Sequence, residues 1–426
     1  MQRIFLFLSI VFCSFVPQAH SQKTINTAHL DKLFRVFFIG NAKVAGIQIY
    51  AEYPDYKWVG DDDEGDMCID DAARALVFYC RQYASNPSAA VEEKIRLLTK
   101  FTVSMQAENG YFYNFIYGNG QINTTHQNSL PIASFWSWRA FWGLSEVLHI
   151  DSPSLVQEKE MARESIRKLL PLLANICPSP HALEMSNGIA FPACLSMVGP
   201  DQAAILITAL CQYAVKSERN EKVLTLIRSL SDALLHCQQG NETTFPYYAF
   251  LSWKHYWHAW GNSQAYALLL ASKVTGDVKY RESALKEIDH FYPYLIKYGQ
   301  IQSFSLMGLP DGSLAPEEIK EFPQISYGLR PMIFAAMEAY SITKKQHYMD
   351  LALLLGGWYF GKNTMGKAMY DPKTGRTYDG IQSRTALNRN SGAESTIECL
   401  LALQKIAGTS EGKQGIKKLA KSGTTK

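Results

Sequence analysis

Apolar residues recur at helical spacing along almost the whole chain, and the segments that carry them are joined by links of alternating character. This pattern constrains the fold more than any single motif. The stripe Leu30, Leu33, Phe34 and Phe37 opens it. Asp71–Tyr83 follows, with Ala72, Ala75, Leu76 and Tyr79 on one face. Further helices are predicted over Val91–Gln106, Pro131–His149, Leu155–Ile176, Pro200–Val215, Glu221–Cys237, Gly261–Val274, Tyr280–Tyr294, Arg330–Tyr340, His347–Phe360 and Ala393–Ile406. Pro131, Pro200 and Pro331 lie at or near helix starts, where a missing N–H costs least. Some links are short and polar, as at Ser85–Ser88 and Thr275–Asp277. Others are long and aromatic: 109–129, 178–199, 239–260, 298–329 and 361–392. About twelve helices joined this way predict an all-α fold, an (α/α)6 barrel of six helical hairpins closed into a toroid. The long links would then gather on one face and wall a single cleft. No Pro/Gly/Ser-rich linker divides the chain. One domain is expected over residues 27–408, followed by a frayed basic tail over 409–426 that carries Lys413, Lys417, Lys418, Lys421 and Lys426.

The first residues read as a processing signal. Arg3 precedes the apolar run Ile4–Val16, and Ala19-His20-Ser21 supplies small residues where a signal peptidase cuts. A signal peptide over 1–21 predicts export, to a periplasm or beyond. The run is shorter than the ~20 apolar residues of a membrane span, and no later stretch reaches that length. Lys and Arg total 42 against 39 Asp and Glu, with no basic run outside the tail, which argues against a nucleic-acid partner. With 21 Phe, 23 Tyr and 8 Trp and only 19% charged residues, the chain is not a disordered one. Beyond the signal lie Cys68, Cys80, Cys177, Cys194, Cys211, Cys237 and Cys399. None shows a CxxC spacing, and most sit in apolar surroundings, as small buried hydrophobes do. Cys177–Cys194 is one example of a pair that could form a disulfide, and the pairing is left open.

Two acidic places carry the candidate chemistry. Asp61-Asp62-Asp63-Glu64-Gly65-Asp66 runs on to Asp70-Asp71, directly ahead of the strong helix former Ala72-Ala73-Arg74-Ala75-Leu76. Either aspartate could cap the helix or favour its positive end. Alternatively one carboxylate projects into the cleft as a base, because crowded carboxylates push their pKa values apart. Asp61, Asp63 and Glu64 are also hard oxygen ligands for calcium, though their spacing is not that of an EF-hand. The second place is Tyr378-Asp379-Gly380 and then Gly392-Ala393-Glu394-Ser395-Thr396, where Glu394 opens the last apolar helix. In a six-hairpin ring the first and last hairpins are neighbours, so Asp70 or Asp71 and Glu394 can face each other.

Several segments resemble the six-hairpin glycosidase superfamily, the (α/α)6 toroids. Asp70-Asp71-Ala72-Ala73-Arg74-Ala75-Leu76 is similar to the DDxARAL helix start of toroid domains associated with carbohydrate enzymes. Trp260–Leu268 is a second shared segment. Phe360–Asn363, Tyr370–Gly375, Tyr378–Gly380 and Gly392–Thr396 form a third. The layout is also similar to that of the cellulases of glycoside hydrolase family nine, although their DAGD motif is replaced here by Asp70-Asp71 or Asp61-Asp62-Asp63. The resemblance implies a glycoside hydrolase acting on a carbohydrate, with Asp70 or Asp71 as base or nucleophile and Glu394 as general acid. Glycosidic cleavage needs such a pair of carboxyl groups. No cofactor is implied.

Flat aromatic walls suit the apolar C–H faces of sugars. Trp58, Trp136, Trp138, Trp260 and Tyr378 are candidate substrate contacts, with Asp379 beside them. Arg139, Arg330 and Arg384 are candidates to grip an acidic sugar or to satisfy a carboxylate. His255 and His258 are candidate substrate contacts, and would be acid/base groups if the protein is a polysaccharide lyase or a sugar epimerase. They lack an evident third ligand for zinc. A toroid that binds glycans without catalysis is the remaining alternative. Neither the sugar nor the oligomeric state is legible.

Overall fold

The computed structural model describes residues 25–216 and 220–423; the predicted signal peptide lies outside the described residues. Fourteen helices occur among them: α1 Ala28–Leu33, α2 Ile69–Ser85, α3 Ala89–Ser104, α4 Phe135–Val147, α5 Val156–Leu169, α6 Pro200–Lys216, α7 Glu221–Leu235, α8 Gln264–Thr275, α9 Val278–Lys286, α10 Tyr292–Lys297, α11 Leu329–Thr343, α12 Gln346–Gly356, α13 Ala393–Ala407 and α14 Ser410–Gly423. Local chemistry sets many of their ends. The Ser88 hydroxyl accepts from the Val91 amide at 3.3 Å and caps α3. The Asn220 side chain caps α7 in the same way. Gly276, at φ +81°, takes the left-handed conformation that ends α8 and lets α9 turn back at once.

Six helices form an inner ring. α2 packs on α4, α4 on α6, α6 on α8, α8 on α11, α11 on α13, and α13 returns to α2. Their sequences are apolar nearly all round, as a helix with neighbours on every side requires. Gln264–Ala271 of α8 and Leu329–Ala339 of α11 are continuously buried. The partners α3, α5, α7, α9, α12 and α14 pack outside, each following its inner helix after a short link. Each long link runs from the end of an outer helix to the start of the next inner one. The six inner N-termini and the long links therefore share one face. That is the (α/α)6 toroid expected from the alternation of links.

Among the described residues, strands are confined to 34–68 and the long links. Phe34–Ile39 pairs antiparallel with Ala42–Ile47, Phe34 opposite Ile47. Tyr256–His258, Ser303–Gly308 and Leu314–Lys320 build one three-stranded sheet; Gln324–Ile325, Gly380–Ser383 and Ala386–Asn388 build another. Two expectations are corrected here. The first apolar stripe is helical only to Leu33. Phe34, Val36, Phe37 and Ile39 favour a strand, and Gly40, at φ +57°, turns that strand into a hairpin. Residues 410–423 are not a frayed tail but the helix α14, which packs on α12 and α13 with Ile416 and Leu419 buried. It supplies the outer partner of the sixth hairpin, a place that the short α1 cannot fill.

Cys177 and Cys194 form a disulfide, and Cys68, Cys80, Cys211, Cys237 and Cys399 are buried thiols. No described helix is long and apolar enough to cross a membrane. Between α9 and α10 a single π-turn spans Glu287–Phe291. Glu287 is fully buried there and accepts a hydrogen bond from the Phe250 amide at 2.8 Å. Burial pushes its carboxyl up to about 8, from 4.5 in the unfolded chain. Between those two values the folded protein holds a proton that the unfolded chain has released, so stability falls as pH rises through this window. Glu287→Gln is expected to flatten that decline, measured by urea unfolding at about pH 5 and about pH 8.

Candidate active site

The inner N-termini concentrate unpaired amides and positive dipole ends at the mouth of the ring, a setting that favours carboxylates. α2 begins with Asp70 and Asp71, α6 with Asp201, and α13 with Glu394. One turn further into α2 stands Arg74, which is 2% exposed. The i+3 and i+4 spacing carries its guanidinium back over the two aspartates. Its Nη1 meets Asp71 Oδ1 at 2.7 Å and its Nη2 meets Asp70 Oδ2 at 3.1 Å. From α13, Glu394 closes on the same Nη2, and Glu398, one turn on, lies 3.0 Å from Nε. One guanidinium thus binds four carboxylates drawn from the first and last inner helices.

Two further arginines complete the network. Arg139, from the second turn of α4, pairs with Asp70. Arg330, from α11, clasps Glu398, with Nη2 to Oε1 at 3.1 Å. Below them the Trp142 ring lies 5.6 Å from the guanidinium carbons of both Arg330 and Arg81. Above them opens a cleft of about 300 Å³. Asp70, Asp71, Arg74 and Glu394 line its floor, and Glu64, Asn114, Tyr327 and Asp379 stand in its walls.

The carboxyl groups differ in protonation because their surroundings differ. Burial alone would raise Asp70, but Arg139 and Arg74 outweigh it and hold the group below the usual carboxylate range. Burial raises Asp71, and the neighbouring Asp70 charge adds to that, against the pull of Arg74. Burial lifts Glu394 to about 7 in spite of Arg74, with help from the Asp71 charge. Burial likewise pushes the Tyr327 hydroxyl well above its ordinary value, and the Glu394 charge adds to it, so that group stays a hydrogen-bond donor. A carboxyl group held low and one raised to about 7 therefore stand in contact with the same arginine.

The predicted site residues divide into three groups. Asp70, Asp71 and Glu394 come together, and Asp379 joins them at the cleft, where its Oδ1 accepts from the Gly392 amide at 3.0 Å. A second group lies elsewhere on the mouth. His258 Nε2 meets Asp201 Oδ2 at 3.1 Å, and its ring stacks on Trp260 at 4.1 Å between centroids. His255 Nδ1 bonds the Ser186 hydroxyl at 2.9 Å. The turn 259–261 packs on 326–328, so Trp260 sits one segment from Tyr327. The third group is structural. Trp136 and Trp138 are buried, Trp136 donating to the Phe112 carbonyl and Trp138 packing edge-on to Tyr111; both are core rather than cleft wall. The half-exposed Trp58 donates to the Lys32 carbonyl, away from the cleft lining. Tyr378 is half-buried, its carbonyl taken by Ser326, and Arg384 is exposed and pairs with Glu321. Arg139 and Arg330 each satisfy a carboxylate.

Much of the aromatic density of the link 239–260 is also core: Trp257 is fully buried and stacks on Phe304 at 5.3 Å. In the acidic turn, Asp61 Oδ1 accepts from the amides of Asp63 and Glu64, both at 2.9 Å, which closes the turn on itself. Among the described residues no group of three or more His, Cys, Asp or Glu is arranged to hold a metal ion. Arg74, Glu398, Asn114, Asp201 and Tyr327 were not singled out from the sequence. Two of them carry a helical signal, since Arg74 follows Asp70 by four residues and Glu398 follows Glu394 by four.

No family model matches the chain, and no curated protein matches it by sequence. Solved structures do match it in shape. A sugar epimerase from a ruminal bacterium aligns with a TM-score of 0.60 at 13% identity, over 88% of this chain and 94% of that one. The fold is that of the six-hairpin toroids. Cellobiose 2-epimerase from Bacillus thermoamylovorans aligns at 0.59 and 14% identity, over 89% and 95%. A family 76 glycoside hydrolase from a bovine Bacteroides thetaiotaomicron strain aligns at 0.56 and 12% identity, over 89% and 76%.

Removing the central guanidinium leaves four carboxylates crowded together without their shared counter-ion. Arg74→Ala is expected to destabilise the fold by about 3–5 kcal/mol near neutral pH. The loss should shrink in acid, where the freed carboxyl groups take up protons. Urea unfolding of the variant and the parent at about pH 7 and about pH 5 checks both statements.

Proposed function

We propose that the protein is an exported carbohydrate-active enzyme that hydrolyses glycosidic bonds in the cleft between α2 and α13. The observation that carries this reading is the meeting of Asp70 and Glu394 on one nitrogen of Arg74 in that cleft, in surroundings that shift the two carboxyl groups in opposite directions. Glycoside cleavage asks for this division: a carboxylic acid to protonate the leaving oxygen, and a carboxylate to act on the anomeric carbon or on water. Glu394 is the acid. Asp70 is the carboxylate, in preference to Asp71, which is more deeply buried and tied to Arg74 Nη1 and the Cys68 thiol. Tyr327 offers a hydroxyl to the substrate from the wall. Export is supported by the layout of residues 1–21 and by the Cys177–Cys194 disulfide, a bond that persists in oxidising compartments.

The Asp201–His258 contact beneath Trp260 favours one second reading. A histidine oriented by a carboxylate can move a proton on a sugar carbon, and sugar epimerases share this fold. The two readings separate by product. Hydrolysis releases reducing ends and depends on Asp70 and Glu394. Epimerisation exchanges the hydrogen on the carbon beside the carbonyl of the opened sugar with solvent deuterium and depends on His258.

A glycan panel should be assayed with the parent, Asp70→Asn, Glu394→Gln and His258→Asn, each checked for folding by circular dichroism. The first two variants are expected to lose about 10²–10⁴-fold in turnover. Parent turnover should fall as pH rises through about 7, where Glu394 gives up its proton. Undiminished hydrolysis in both carboxylate variants would overturn the assignment. Deuterium exchange that disappears in His258→Asn alone would replace it with the epimerase reading, and binding with no reaction would leave a glycan-binding toroid.

A further inference from the structure

We propose that the cleft is selective for a sugar bearing a protonated amine over the matching neutral sugar, and that it rejects uronic acids. The inference rests on the reading of the cleft as a glycan site and names the class of glycan.

The charge at the cleft is one-sided. Its described lining brings five carboxyl groups, the acid Glu394 and, beside it, Glu64, Asp70, Asp71 and Asp379, against a single cation, Arg74. That cation is already committed: Asp70, Asp71, Glu394 and Glu398 surround it, and it is 2% exposed. The next arginines are committed too, Arg139 to Asp70 and Arg330 to Glu398. A uronate entering here would meet like charges and no counter-ion. An ammonium would meet the reverse.

An independent observation points the same way. Asn114 stands in the cleft wall, 7% exposed. Its Nδ2 donates to the Asn128 carbonyl at 3.1 Å, which fixes the amide and leaves Oδ1 as a buried acceptor with no donor. Oδ1 of Asp70, on the floor of the same cleft, is in the same condition. Buried acceptors without donors cost free energy that a ligand N–H or O–H recovers. An ammonium brings three donors and a positive charge in one small group, which matches acceptors set among carboxylates.

The test is a binding measurement, independent of turnover. Isothermal titration of the parent at about pH 6 and low salt, where a sugar amine is protonated, compares matched amino, neutral and uronic monosaccharides in gluco, galacto and manno configurations. In at least one configuration the amino sugar is expected to bind about tenfold or more tightly than its neutral partner, with the uronate weakest. Glu64→Gln and Asp379→Asn should each lower the amino-to-neutral ratio by about threefold or more. Because Asp379 also holds the Gly392 amide, Glu64→Gln is the cleaner variant. Equal binding of amino and neutral sugars in every configuration, a uronate that binds as well as either, or no binding by any member overturns the proposal. Hydrolysis of a neutral glycan with no amine preference would sink this inference and spare the hydrolase assignment. Amine preference without turnover would do the opposite.

Discussion

A single buried guanidinium holds the two ends of the ring together. Arg74 lies on the first inner helix, and two of its four carboxylates come from the last. Such a charge would be costly in an apolar ring if its partners were incomplete. Here α13 completes them with Glu394 and Glu398. Arg330 fixes the far side of Glu398, so the network also ties α11 to the seam, and Arg139 ties α4. Four of the six inner helices meet through these ion pairs. The acids that line the cleft are therefore part of what positions the helices that present them.

The toroid separates work between its faces. On the face of short links, turns such as 275–277 only reverse the chain. On the other, the long links carry strands, aromatics and acids. Much of the aromatic excess proves to be packing beneath those links: Trp257 on Phe304, and Trp136 and Trp138 behind Arg139. Less aromatic surface than the composition suggests thus remains to meet a ligand, and the cleft is distinguished mainly by its charge. Carboxyl groups dominate the polar part of its lining, with the Tyr327 hydroxyl as a donor among them.

Much of this was legible in the chain and some was not, for definable reasons. The ring could be read from the alternation of links, since that alternation is itself what places inner and outer helices. Asp70, Asp71 and Glu394 could be read because they sit at helix starts that a closed ring makes adjacent. Arg74 was harder to see. Within Ala72–Leu76 it looks like one charge among helix formers, and its role depends on Glu394, 320 residues away. Trp136 and Trp138 looked like a wall because nothing local distinguishes an aromatic beside a cleft from one behind it. The last helix was hidden by composition: lysines dominate 410–423, and the stripe that buries it amounts to Ile416 and Leu419. At Phe34 a helical spacing and a strand-forming run coincided, and the hairpin turn at Gly40 decided the outcome.

The distance in sequence between Arg74 and its partners has a consequence for biosynthesis. As the chain emerges, α2 is made early, yet the charges that neutralise its arginine arrive only with residues 394 and 398. Until then the floor of the cleft is unfinished, and α2 has a neighbour on only one side. Arg74 thus gains the last two of its four partners only with the final inner helix, and the seam that carries the cleft is the last part of the ring to be completed.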